Sequence, residues 1–348
     1  MKPTVPGRLH AQGLTSARFD AAADVVRHLG CVQSQLHDMA LWAVARRTTG
    51  LTLADAQAAF DRGDFLRTHV LRPTWHYVDP ADIHWLLALT APRVRQVMTS
   101  SWAALGLGPE LIERGSEVIV AALADGAPHT RAELATALED AGLQAKGTFL
   151  VHQLMNAEIS LLCANGPMRG KQHTYVALPS APDERTYDEL LTEVARRYAR
   201  GHGAFRDKDL AWWTSLTLTD SRRAIELAEL RPLEVGGEAY WTLDQPVDTE
   251  VPPAMLLSNF DEYISYARDP EDYTGFDGTV DDVMRGAGLL MIGGRLSGRW
   301  ARTVTAKTVR IVVDRAPRIT ASTRRALDEE AAAFGRFLGR EPELVIAD

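Results

Sequence analysis

Several features that would direct a reading elsewhere are missing. Only two cysteines occur, Cys31 and Cys163, too few for a disulfide framework or a cysteine-built zinc site. No apolar run approaches the roughly 18 residues that a membrane span requires. The opening MKPTVPGRLH has no apolar core followed by a small-residue cleavage site, so a protein that folds in water and has a cytoplasmic address is expected. H-E-x-x-H pairs, clustered histidines, a Walker loop and a G-x-S-x-G elbow are absent, and Gly293-Gly294 lacks the strand-helix context of a dinucleotide fold. No metal and no cofactor is called for. Positive charge is also scarce: 38 Lys and Arg stand against 46 Asp and Glu, a net of −8, which argues at first against a polyanionic partner.

The distribution of charge points the other way. Between Arg285 and Arg325 there are ten basic residues and one acid, Asp314, while acids gather in segments such as Asp261 to Asp282. Such segregation suits a protein that turns one basic face to a polyanion. A charged sheet edge that discourages aggregation has the same composition. At 348 residues the chain exceeds one ordinary core, and two to four compact units are expected.

Local patterns divide it. Apolar spacing through Ala22, Val25, Val26 and Leu29 predicts a helix stopped by Gly30. Leu36 to Arg47 and Leu53 to Phe60 predict two more, leaving Cys31 to Gln35 as a connector. Val70 to Val78 reads as one strand around Pro73, and Pro80 opens another helix. Next, Thr130 to Glu133 forms a capping box, and a second helix begins near Thr148. Leu161 to Cys163 and Thr174 to Leu178 read as strands on either side of the basic, Gly-rich loop Gly166 to His173. Helix, turn, helix, strand, loop, strand is the order of a winged helix with the loop as its wing; an unliganded polar hairpin tip reads the same.

A third unit of that order starts at Tyr187. It takes in Trp212-Trp213, a helix capped by Thr219, and a hairpin of Leu233 to Val235 with Tyr240 to Leu243. Beyond Val247, strands are expected over Leu289 to Ile292, Arg299 to Thr305 and Thr308 to Val313. Turns are expected at Gly293-Gly294 and Ser297-Gly298, and the amphipathic helix Ala321 to Leu338 closes a small sheet or barrel.

The remaining candidates for chemistry are amides and carboxylates. Gln33 and Gln35 lie two apart, which diverges on a helix but shares one face on an extended backbone. Two carboxamides on one face hold a water and a sugar oxygen together; glutamines in connectors also cap helix ends. Asp261 and Glu262 are an alternative base or a capped turn.

Longer motifs decide between these. Arg8-Leu9, Gln12-Gly13-Leu14, Val32-Gln33-Ser34-Gln35, Ala40-Leu41-Trp42-Ala43 and Leu71 to His76 resemble the first winged-helix region of the AlkZ-type DNA glycosylases. Asn165-Gly166-Pro167, Gly170 to Tyr175, Arg197-Tyr198, Leu210 to Trp213 and Asn259 to Tyr263 continue the resemblance in order over nearly the whole chain.

The resemblance implies an α+β fold of three tandem winged helices, over 1–105, 106–182 and 183–247, and a β-barrel-like domain with a C-terminal helix over 248–348. It implies a DNA glycosylase whose catalytic triplet has Gln33 and Gln35 outermost, with Ser34 where the family usually has an apolar residue. It leans toward the branch that protects antibiotic producers. Duplex DNA with alkylated purines is the expected partner, and the chain is expected to act as a monomer. Arg169, Lys171 and His173 on the second wing, with Arg299, Arg302 and Lys307 on the last hairpins, are the expected DNA contacts. A non-catalytic winged-helix regulator and a protein that sequesters an alkylating drug are the rival readings.

Overall fold

A computed structural model describes residues 4–181, 183–245, 247–268, 283, 285–314 and 319–347. The N-terminal tripeptide, the acids at 269–282, Arg315 and Arg318 fall outside the described residues.

The first unit contains α1 (Val5–Ala11), α2 (Ala22–Leu29), β1 (Cys31–Gln33), α3 (His37–Ala45), α4 (Leu53–Asp61), β2 (Leu66–His69) and β3 (Trp75–Val78), and leads into α5 (Ile83–Ala104). α2 buries Ala22, Val25, Val26 and Leu29 and stops at Gly30, whose φ of 82° a side chain would resist. The single strand expected over Val70 to Val78 is instead a turn followed by β3, with β2 preceding it. Pro73 cannot donate to a ladder and Leu71 takes φ 65°, so pairing cannot run through.

The second unit has α6 (Pro109–Leu123), β4 (His129–Thr130), α7 (Arg131–Asp140), α8 (Gly147–Ile159), β5 (Cys163–Arg169) and β6 (Gln172–Ala177). The Thr130–Glu133 capping box starts α7. The expected wing loop is mostly strand, and only Gly170 and Lys171 remain as the turn. One six-stranded sheet in the order β1-β3-β2-β5-β6-β4 spans both units, joined where Arg67 pairs with Asn165.

α9 (Tyr187–His202), α10 (Asp207–Thr214), α11 (Leu218–Leu227) and the hairpin of β7 (Arg231–Val235) with β8 (Glu238–Thr242) follow. Thr217, not Thr219, caps α11, accepting from the Asp220 N–H. The last unit is β9 (Ala254–Leu257), a 3₁₀ turn (Glu262–Ile264), β10 (Gly288–Ile292), β11 (Arg295–Val304), β12 (Thr308–Asp314), α12 (Ala321–Leu338) and β13 (Glu341–Ile346). Among the described residues its sheet is open, ordered β13-β12-β11-β10-β9, with β13 parallel to β12. The expected turn at Ser297-Gly298 lies inside β11.

α12 docks this sheet onto the first unit. Trp42 of α3 packs edge-on against Phe334 of α12, ring centroids 5.0 Å apart, and donates its indole N–H to the Leu256 carbonyl at 2.8 Å. Burying side chains of this size stabilises by roughly 2–3 kcal/mol each, and it fixes α3 and hence the segment just before it.

Candidate active site

Gln33-Ser34-Gln35 runs off β1, the edge strand of the six-stranded sheet, whose outer side is covered by the buried Glu262. β1 is held to β3 in antiparallel register, with Gln33 opposite His76, and the Ser34 N–H donates to the Trp75 carbonyl at 2.7 Å. The Gln33 N–H donates to Glu262 Oε1 at 2.8 Å, and Arg67 Nε donates to the Ser34 carbonyl at 3.0 Å. The backbone of the triplet is therefore fastened on both sides, whereas the two glutamine side chains stay partly exposed and Ser34 is buried.

The two carboxamides have different surroundings. Gln33 shares a face with His76, and Arg72 Nη2 reaches both: Gln33 Oε1 at 3.3 Å and His76 Nε2 at 3.0 Å. Arg72 also donates to the Trp213 carbonyl at 2.6 Å and lies over the Trp212 ring at 4.6 Å. Gln35 sits in a bend leading to α3, where strand alternation ends. It lines a groove of about 660 Å³ with Arg67, Trp75, Arg131, His173 and Tyr175. Arg67, Trp75 and Tyr175 project from the sheet face opposite Gln33 and His76 by the register. No hydrogen bond joins Gln33 to Gln35 among the described residues, and the buried Gln35 Oε1 has no partner. The shared face expected of an extended connector gives way to two amides flanking one edge.

Beneath the groove lies a buried polar network. Glu158 accepts from Trp75 Nε1 and Asn165 Nδ2, both at 3.3 Å, and makes a very close contact with His69 Nδ1. Arg67 binds Asn165 Oδ1 and stacks over Trp75 at 4.4 Å. Buried networks with each member satisfied hold a wall in one geometry.

Asp261 and Glu262 are the capped turn and not a base facing the groove. Asp261 accepts from the Tyr263 N–H and forms an ion pair with Arg47 at 2.7 Å, both side chains fully buried. Glu262 is 1% exposed and accepts from Gln33 N–H, from Trp213 Nε1 at 3.2 Å and from His202 Nε2 at 3.3 Å. Burial alone would raise its pKa, but the His202 hydrogen bond and charge, with Arg72, carry it down to about 2. Its Oε1 is spent on holding the triplet and its Oε2 on Trp213 and His202.

The expected DNA contacts fall into separate places. Arg169 pairs with Glu133 at 2.7 Å at the second hairpin, and Lys171 is exposed in its turn. His173 is half-buried against Gln35, with Nδ1 unpartnered; burial, with Arg67 and His37, pushes its pKa down to about 3. It is thus neutral and is no phosphate-binding cation. Arg299 and Arg302 line a hollow of about 750 Å³ shared with Leu36 and Asp38, beside the triplet. Arg299 is paired with Asp314 at 2.7 Å, and Arg302 donates to the Gly286 carbonyl at 3.1 Å. Lys307 lines a different hollow, with Arg336 and Arg340. Sequence reasoning passed over Arg67, Arg72, His76 and Glu158 as individual groups; for Arg72 and His76 the one signal was the motif Leu71 to His76.

A family model described as DNA glycosylase AlkZ-like matches residues 26–337. The chain belongs to the AlkZ-like DNA glycosylase family. It is accordingly a DNA glycosylase, a hydrolase of N-glycosyl bonds that serves DNA repair. The solved structure of Streptomyces sahachiroi DNA glycosylase AlkZ superposes with a TM-score of 0.79 over 100% of both chains at 21% identity. At that identity the AlkZ match establishes a shared fold. No curated protein matched. Among the described residues no helix is long and apolar enough to cross a membrane, and no three His, Cys, Asp or Glu residues are grouped to hold a metal.

Proposed function

We propose that this AlkZ-like glycosylase hydrolyses the N-glycosidic bond of N7- or N3-alkylated purines in duplex DNA, with Gln33 and Gln35 as the reacting pair. One observation carries the reading: a backbone clamped by Glu262, Trp75 and Arg67 carries two partly exposed glutamines at the end of the edge strand, Gln33 toward Arg72 and His76 and Gln35 toward the groove. An N7-alkylated guanine already bears positive charge, so its departure needs little acid help and leaves an oxocarbenium-like sugar. Water must then be placed at C1′, and preorganised amide dipoles do this without reorganising at the moment of reaction. No lysine stands among the groove residues named above, and hydrolysis without strand cleavage is the route assigned.

Arg169, Lys171, Arg299, Arg302 and Lys307 contact phosphates and set the duplex in register, while the neutral His173 meets the lesion side. The groove of about 660 Å³ beside Gln35 leaves room for a bulky or crosslinked adduct, in keeping with a self-resistance role as well as base excision repair. Three tandem winged units followed by the open-sheet domain let one chain act as a monomer, in the cytoplasm with its DNA. Incubation with an N7-methylguanine duplex, then heating in mild base, tests the reading: strand breaks are expected with the native protein. Gln33→Ala and Gln35→Ala abolish them with DNA affinity nearly intact. A loss of affinity would reassign both residues to binding.

A further inference from the structure

We infer that Arg72 is a positioning residue: it captures the oxygen of the Gln33 carboxamide and leaves the amide NH₂ as the end that meets the substrate. The inference rests on the reading of Gln33 given above. It starts from donor chemistry. A guanidinium has five N–H donors and no acceptor, so the atom of Gln33 that faces Arg72 Nη2 at 3.3 Å is oxygen. The usual ambiguity between the two ends of a glutamine amide is removed by its partner.

His76 supports the same polarity. Its Nδ1 lies 2.9 Å from the Thr74 carbonyl, which can only accept, so Nδ1 carries the proton and Nε2 a lone pair. That lone pair accepts from Arg72 Nη2 at 3.0 Å. Arg72 itself has little freedom. Nη1 is held by the Trp213 carbonyl, and the guanidinium plane rests on Trp212. The preceding residue, Leu71, takes φ 65°, a region an unbranched-β side chain seldom enters, with its N–H donating to Thr90 Oγ1 at 3.3 Å. Glu262 meanwhile pins the Gln33 backbone N–H. Main chain and side chain of Gln33 are thus fixed by two separate groups, and the remaining end of the amide is a hydrogen-bond donor. Such a donor meets an oxygen: the lone pair of the attacking water, a sugar oxygen or a phosphate.

The decisive variant is Gln33→Glu, which is nearly isosteric and still satisfies Arg72 but offers no N–H. Single-turnover release of N7-methylguanine from duplex is measured for the native protein, Q33E, R72A and R72K, alongside DNA affinity. Q33E is expected to fall as far as Q33A. R72A is expected to lose roughly 10- to 100-fold in rate with affinity changed less than about threefold, to be partly restored by added guanidinium but not by methylammonium, and to be surpassed by R72K. Retained activity in Q33E, or an R72A defect that falls equally on rate and affinity without rescue, overturns the proposal. Should R72A fail to fold, Q33E and R72K decide. A second readout does not need the reaction: in full-length protein labelled with ¹⁵N-glutamine, the Gln33 NH₂ signals, assigned by their loss in Q33E, shift in R72A. An unshifted pair overturns the proposal even if the native protein releases no base from this lesion, an outcome that would sink the lesion reading alone.

Discussion

Replacing Glu262 by Gln isolates what the buried carboxylate does for the site. Its two oxygens face only donors: the Gln33 N–H on one side, Trp213 Nε1 and His202 Nε2 on the other. A glutamine offers one oxygen, so its NH₂ must confront an N–H. A buried donor left unpaired costs about 1–3 kcal/mol, and hydrogen bonds to a charged group are at the upper end. The depressed pKa points the same way: a shift from 4.5 to about 2 in the folded protein corresponds to an order of about 3 kcal/mol. Because the folded value is the lower one, this stabilisation is present above pH 4.5 and is lost as pH falls from 4.5 toward 2. Urea unfolding followed by tryptophan fluorescence at pH 7 should therefore place Glu262→Gln about 3 kcal/mol below the native protein, with a deficit that narrows below pH 4.5. Base release should also slow, since the Gln33 backbone loses an anchor. A deficit under about 1 kcal/mol at pH 7 would refute the reasoning.

Other outcomes follow from neighbouring groups. His76 is fully buried and its pKa is pushed from 6.5 down to about 3, by burial first and then by Arg72, so the unfolded chain takes up a proton that the folded one refuses. Native stability should fall below pH 6.5 by about 1.4 kcal/mol per pH unit from this group, and His76→Gln should flatten the slope by that amount. Asp261→Asn leaves Arg47 charged among buried groups at the turn that carries Glu262, and chemical denaturation should register a loss of about 3–5 kcal/mol. Lys171→Ala removes an exposed charge from the second hairpin; the salt dependence of DNA binding should lose about one phosphate contact while the single-turnover rate is unchanged.

Much of the fold was legible because it is local. The Thr130–Glu133 box and the helix Ala321–Leu338 lie where apolar spacing and caps place them. What escaped depends on partners far away in the chain. β13 begins Glu341-Pro342-Glu343, a polar stretch that becomes strand only by pairing in parallel with β12. The six-stranded sheet depends on Arg67 meeting Asn165, and no periodicity marks that encounter. The basic segment was read as a net charge, yet Arg299 is answered by Asp314 within it and Arg310 by Glu343 beyond it. At the site, the triplet Gln33 to Gln35 was legible as a motif, but the bend at Gln35 comes from the start of α3. Glu262 reaches Gln33 across 229 positions of sequence, so its holding role could not be read from the turn it sits in.

The proposed reaction is cleavage of the bond between an alkylated purine and its deoxyribose by way of the two amides. Mass spectrometry of a duplex carrying one N7-alkylguanine, incubated in ¹⁸O-water, tests it most directly. Free alkylated base and an intact strand whose abasic C1′ oxygen carries the label are expected, with neither product from Gln33→Ala or Gln35→Ala. Unreacted duplex after incubation with the native protein, or yields from the two variants equal to the native protein's, would contradict it.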